Sequence, residues 1–83
     1  MPVPNLDALP DYPEALNNRG VIKVWRGDLA GAVADFTRAI ALNPGYRAAY
    51  ANRAIAYAKM HEHEKSTADK RRAIELGSRN SKT

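Results

Sequence analysis

The chain has 83 residues, no cysteine and a formal net charge of +4. We therefore expect one small domain or part of a larger protein, without disulfides or thiolate chemistry. The first residues lack the basic start and apolar run of a secretory signal, and no stretch approaches the ~18 apolar residues of a membrane span. These features predict a cytoplasmic protein with no membrane partner.

The positive charge is concentrated at the C-terminal end. Residues 1–64 contain seven Lys/Arg and seven Asp/Glu, whereas residues 65–83 contain six Lys/Arg and two Asp/Glu. A block of like charge can mark an interaction tail, so Lys70, Arg71 and Arg72 are candidate contacts to an acidic partner. The alternative is a solubilising end cap, because no aromatic residue is interleaved with these charges to stack on bases.

A repeat of 34 residues organises the chain. When the sequence is shifted along itself by 34 positions, eleven identities appear over residues 10–43, where ordinary composition gives about two by chance. The densest block pairs AVADFTRAIAL at 32–42 with STADKRRAIEL at 66–76. An internal repeat of this period predicts two similar structural units.

The first predicted helix follows a proline-punctuated arm, residues 1–12, and runs from Pro13 to about Arg26. Proline is favoured in the first turn, where its missing N–H group is no loss. Asp11, three residues before Glu14, is placed to form a relaxed capping box.

The second predicted helix spans about 29–43 and has a clear amphipathic period. Gly27 precedes it as a left-handed helix terminator, and Asp28 precedes it as an N-cap. Asn43 ends the helix because the residue before a proline, here Pro44, disfavours the helical region. Apolar residues recur on one side at helical spacing: Leu29, Val33, Phe36 and Ile40, with Ala32 and Ala39 beside them.

Two further helices are predicted at about 46–60 and 63–76, with the turn between them at 61–62. Gly77 is the expected C-cap of the last helix, and residues 78–83 are expected to be a polar tail. No strand pattern is present, so the fold is predicted to be all-α, with two helical hairpins as antiparallel neighbours.

These residues resemble the tetratricopeptide repeat, a helix–turn–helix unit of 34 residues. The resemblance implies two tandem hairpins in a right-handed α-solenoid stack, with repeats at 13–46 and 47–77. In this family Gly20 and Ala54 would permit close helix approach, and Phe36 would fill the space between its hairpin and the next helix. The first copy is carried by Leu16, Gly20, Gly27, Asp28, Ala32, Phe36, Ala39 and Pro44, and the second by Tyr50, Ala54, Tyr57, Ala73 and Leu76.

Several positions depart from the family pattern. Lys23 stands where an aromatic is expected, Ser66 where a small alanine is expected, and Ser78 where the closing proline is expected. Lys70 replaces the phenylalanine, and a charged residue there predicts that the array ends at the second repeat. Because about three repeats are usually needed to bury a stable core, the chain is expected to be a fragment or to form a homo-oligomer.

The resemblance also implies a ligand surface on the inner face of the first helix of each hairpin. Asn18 and Asn52 are equivalent in the two copies, and their amides match the donor and acceptor of a peptide group; alternatively, each bonds a neighbouring helix or water. Trp25 is a candidate binding hot spot; alternatively, it packs against the arm near Leu6 and Leu9 or against a second copy. The candidate peptide- or partner-binding residues are Asn17, Asn18, Val21, Trp25, Asn52, Ile55 and Lys59.

No catalytic, cofactor-binding or metal-binding residues are predicted. His61 and His63 are two residues apart at a turn, not the helical i, i+4 pair that brings two imidazoles together, and Ser66 has no recognisable activating base. Arg19 and Arg53 are expected to be structural, paired with Asp35 or Asp69. The predicted function is a non-catalytic protein-interaction or scaffold module that binds a peptide, a partner helix or its own copy. The alternative is a basic adaptor that contacts nucleic acid or an acidic surface, but a protein partner is favoured over nucleic acid.

Overall fold

A computed structural model describes residues 12–80, and these residues form four helices joined by short turns. No strand occurs within this range, so the predicted all-α class is confirmed. The predicted bounds of the first three helices are correct to within one residue at each end. The helices are α1 (Pro13–Trp25), α2 (Leu29–Leu42), α3 (Arg47–Lys59) and α4 (His63–Asn80).

The turn between α1 and α2 forms as its two residues predict. Gly27 adopts a left-handed conformation with φ 85°, which glycine reaches without a steric penalty. The Asp28 carboxylate accepts a hydrogen bond from the Gly31 N–H at 3.0 Å and so caps α2. The capping box predicted between Asp11 and Glu14 lies outside the described residues.

The predicted end of α4 is wrong. Gly77 does not cap the helix, because α4 continues through it to Asn80. A Cβ atom on Gly77 would lie 2.9 Å from Nε of Arg47, and that Nε donates to the Ala73 carbonyl at 3.1 Å. Glycine at this position therefore gives the Arg47 guanidinium room to reach the α4 backbone.

The helices pack as two successive hairpins. α1 packs on α2 and α3 packs on α4, while α2 and α3 join the hairpins and α1 lies beside α3. This arrangement places the first helices of the two hairpins next to each other. A groove between α1 and α3 therefore forms because the second hairpin packs on the first.

The core between the hairpins is built from one aromatic ring and small residues. Phe36 is fully buried with Ala32 of its own helix and Ala56 of α3, which confirms that it fills the space between its hairpin and the next helix. Gly20 on α1 lies directly against the Phe36 ring. Small residues at these positions let three helices approach one phenylalanine.

In each hairpin, one arginine–aspartate pair joins the two helices. Arg19 donates twice to Asp35, both at 2.8 Å, and Arg53 donates twice to Asp69 at 2.7 and 2.8 Å. Such bidentate pairs have a specific geometry. They agree with the structural role that the sequence predicts for both arginines. Lys23 adds a second cation 3.2 Å from Asp35, which explains how a charged residue is accommodated where the repeat pattern predicts an aromatic.

Candidate functional site

A shallow pocket of about 90 Å³ opens between α1 and α3. The buried Phe36 ring forms part of its wall. Its lining is largely apolar, with one amide side chain. The lining residues are Val21, Val24 and Trp25 from α1, Asn52 and Ile55 from α3, and Phe36 from α2.

Two large apolar residues at this pocket are exposed to solvent. The Trp25 residue is 82% exposed and Ile55 is 49% exposed. Trp25 is the last residue of α1, beyond the part of the helix that contains its buried residues Leu16, Asn17 and Gly20. Exposed aromatic surface beside a pocket is typical of interaction sites.

One asparagine at the pocket is engaged by a neighbouring helix. The Asn52 Nδ2 group donates to Oδ1 of Asn17 at 3.0 Å, and Asn17 is only 7% exposed. The alternative that Asn52 bonds a neighbouring helix therefore holds in this structure. Asn17 is therefore buried in the core side of the groove, and its Oδ1 atom holds the Asn52 side chain in position.

The remaining predicted groove residues lie apart from the pocket lining. Asn18 on α1 and Lys59 at the end of α3 are both exposed, and neither lines the pocket. Phe36 was not among the predicted binding residues, because its helical period marked it only as core. The predicted alternative contact of Trp25 with Leu6 and Leu9 lies outside the described residues.

The C-terminal basic residues have different environments. Lys70 and Arg71 are exposed, whereas Arg72 is half-buried. The Arg72 guanidinium lies 5.9 Å from the Tyr50 ring centroid and 3.4 Å from the Glu75 carboxylate. Lys70 and Arg71 are therefore the more accessible cations for an acidic partner.

The residues considered for chemistry are held in structural contacts. The Ser66 hydroxyl is buried and donates to the Ala54 carbonyl at 2.8 Å. His61 and His63 are exposed at the turn, with their rings edge to face at 5.9 Å. Among residues 12–80, no group of three or more His, Asp or Glu side chains is placed to hold a metal ion.

The four described helices differ in length and in their share of apolar residues. None of them combines the length and the apolar character that crossing a bilayer requires.

Comparison with known families agrees with the geometry. Residues 13–46, which contain α1, α2 and the turn that follows, match the family model of the tetratricopeptide repeat. Repeats of this family generally mediate protein–protein interactions and are typically non-catalytic. The resemblance inferred from the sequence is confirmed over this segment, so α1 and α2 together match one tetratricopeptide repeat.

Proposed function

We propose that this chain is a non-catalytic interaction module that binds a peptide or partner helix in the groove between α1 and α3. The observation that supports this most directly is the exposed Trp25 indole beside an apolar pocket. Leaving 82% of a tryptophan in water is unfavourable unless a partner covers it, because apolar burial is worth roughly 25 cal/mol per Å².

The volume of the pocket supports an extended ligand rather than a small molecule. A volume of about 90 Å³ is well below the ~300 Å³ of small-molecule sites, so it suits one aliphatic side chain of a longer segment. Trp25 and Ile55 would then flank that side chain. Asn52 would offer its carbonyl oxygen and second N–H to the ligand backbone, since its first N–H is bonded to Asn17.

The proposal is tested by selecting peptides from a displayed library on the immobilised protein and measuring their affinities by calorimetry. Trp25→Ala and Ile55→Ala are expected to weaken binding by about 1–2 kcal/mol each, as hot-spot truncations do. Leu42→Ala removes an apolar side chain that is 45% exposed at the end of α2 and serves as the matched control, because Leu42 does not line the pocket. Selected peptides that bind all three variants as well as the wild type would refute groove binding.

Self-association is the second use of the same surface. The exposed Trp25 of one copy could be covered by another copy, as the small size of the domain suggests. Sedimentation equilibrium distinguishes the two uses, because a groove-mediated oligomer dissociates in the Trp25→Ala variant. A concentration-independent monomer of the wild type would leave an external ligand as the occupant.

A further inference from the structure

One side of the first hairpin is covered by α3. Leu16 and Phe36 are fully buried there because Ala49 and Ala56 of α3 pack on them. Ile40 is half-buried against the same cluster. A single helix with small residues seven positions apart is thus sufficient to cover this side of a hairpin.

The equivalent side of the second hairpin has no such cover among residues 12–80. The residues 34 positions later are Tyr50 for Leu16, Lys70 for Phe36 and Ile74 for Ile40. Tyr50 is half-buried, Lys70 is exposed and Ile74 is 66% exposed. We refer to this surface, formed by Tyr50, Tyr57, Lys70 and Ile74, as the end face.

Cations surround the tyrosine rings of the end face. The Arg53 guanidinium lies 5.7 Å from the Tyr50 ring centroid and 5.8 Å from that of Tyr57, and the Lys65 ammonium lies 5.6 Å from Tyr57. The Asp69 carboxylate is already bound by Arg53 on both oxygens. Lys65 is likewise paired with Glu62 at 3.5 Å. The positive charge that the end face offers a partner is therefore that of Lys70 and Arg71, which are exposed beside Ile74 in α4.

A second copy of the chain fits this surface poorly. In the existing stack, Arg53 of α3 donates to Thr37 of α2 at 3.1 Å. If α1 of another copy took the place of α3 on the end face, the equivalent contact would join Arg19 to Arg71. Two cations would then face each other, which is destabilising.

A second polar contact would also be lost in such an assembly. Asn52 of α3 bonds Asn17 in the existing stack, and the equivalent residues would be Asn18 and Ala51. Alanine has no side-chain acceptor, so the stacked copy would have no equivalent of this bond. Head-to-tail stacking is therefore disfavoured at both positions.

We propose that the end face binds an acidic amphipathic helix of another protein. Small residues of that helix would lie over Tyr50 and Ile74, as Ala49 and Ala56 lie over the first hairpin. Its Asp and Glu side chains would pair with Lys70 and Arg71 at the edge. A helix is favoured over nucleic acid because phosphates would leave Ile74 uncovered, and the proposal is independent of the groove between α1 and α3.

Two synthetic probe helices, each stapled to hold its conformation, test this proposal. The acidic probe is residues 47–59 with Arg47→Glu, Arg53→Glu and Lys59→Glu, and the matched control probe is the unmodified segment. Binding of each labelled probe to the full chain is measured by fluorescence anisotropy. The acidic probe is expected to bind at least about tenfold more tightly than the control probe, because charge complementarity selects partners.

The decisive variant of the full chain carries Lys70→Glu and Arg71→Glu. Both side chains are exposed, so the fold should be kept, and circular dichroism verifies this. The variant is expected to reverse the preference and bind the basic control probe more tightly, whereas Trp25→Ala leaves the preference unchanged. NMR shift changes caused by the acidic probe are expected at Lys70 and Ile74.

Four outcomes would overturn the proposal. The first is a probe preference that the charge reversal does not alter, and the second is NMR shift changes centred on Trp25. The third is a single-stranded oligonucleotide that competes the acidic probe away at lower concentration than the unlabelled acidic probe itself. A self-associated chain that becomes monomeric on Ile74→Asp would likewise assign the end face to a second copy.

Discussion

The Phe36 ring of α2 lies against the Cα atom of Gly20 on α1. A Cβ atom at Gly20 would come within 3.0 Å of three ring carbons, and Phe36 has no exposed surface. Ala32 of α2 and Ala56 of α3 pack in the same cluster as the ring. The contact thus determines both how closely the first hairpin closes and how the second hairpin stacks on it.

Gly20→Ala is therefore expected to destabilise the protein, although alanine favours helix formation. Overpacking a core costs about 1–3 kcal/mol, which exceeds the gain of about 1 kcal/mol in helix propensity. Urea denaturation measures the difference. Gly45→Ala is the control, since its Cβ would have only ordinary contacts, and an equal effect of both substitutions would contradict the close packing.

The Asp35 carboxylate predicts a dependence of stability on pH. Burial raises the pKa of Asp35, but hydrogen bonds from Arg19 and Lys23 outweigh burial, so the pKa lies below its ordinary value of 3.8. A lowered pKa in the folded state means that the charged form stabilises the fold. This contribution is complete at neutral pH and is lost as the pH falls below 3.8 and through the folded-state pKa.

Asp35→Asn isolates this contribution. The variant is expected to lose about 1–3 kcal/mol of unfolding free energy at pH 7, because Arg19 loses its buried charged partner. The difference from the wild type should shrink below about pH 4, where the wild-type carboxyl also becomes neutral. Glu14→Gln changes an exposed carboxylate on α1 and is the control. A difference that stays constant down to pH 2.5 would contradict the assignment.

The sequence predicted those features that depend on local signals. The bounds of α1 to α3 follow from Gly27, Asp28 and Pro44, each of which acts on its immediate neighbours. The end of α4 could not be predicted in this way. Gly77 accommodates Arg47, a residue of another helix, and a glycine in sequence does not reveal whether it ends a helix or makes room for a distant side chain.

The candidate site was only partly predictable for a related reason. Comparison of the two repeats highlighted Asn18 and Asn52 because they are equivalent, yet the bond in the structure joins Asn52 to Asn17. Asn17 has Ala51 as its equivalent, so the repeat contains no trace of this contact. Val21, Trp25 and Ile55 were predicted because the resemblance to the tetratricopeptide repeat implies a ligand surface on this face of α1 and α3, and all three line the pocket.

The Asn17–Asn52 bond is expected to contribute to stability. Asn52→Ala removes the donor from the buried Asn17 oxygen, and a buried unsatisfied group costs about 1–3 kcal/mol. Asn18→Ala is the matched control, because Asn18 is the repeat equivalent of Asn52 and is exposed. A double-mutant cycle with Asn17→Ala measures the coupling, and additive effects would show that the bond contributes nothing.

The exposure of Trp25 can be measured directly, because it is the only tryptophan of the chain. At 82% exposure its fluorescence is expected to resemble that of free tryptophan in water and to be quenched efficiently by acrylamide. Binding of a selected groove peptide should shift the emission to shorter wavelength and protect it from quenching. Blue-shifted, protected emission of the free chain would instead indicate that another part of the chain, or a second copy, already covers the indole.

The two hairpin turns offer a paired test of backbone strain. Gly27 and His61 are equivalent in the repeat, and both adopt a left-handed conformation, with φ of 85° and 63°. A non-glycine residue in this region is strained by about 1–2 kcal/mol. Part of that strain is offset because glycine loses more entropy on folding. His61→Gly is therefore expected to stabilise the protein by about 0.5–1 kcal/mol, and Gly27→Ala to destabilise it by at least as much.

Urea denaturation of the two variants, with His63→Ala as a third, separates strain from side-chain contact at the second turn. The His61 ring packs edge to face on His63. If that contact held the turn, both His61→Gly and His63→Ala would destabilise the protein, because each removes one of the two rings. Because both rings are exposed, we expect His63→Ala to have little effect and the backbone term to dominate. Stabilisation by His61→Gly would then show that the left-handed backbone at His61 is strained in the second turn. The first turn avoids this strain because its equivalent residue, Gly27, is a glycine.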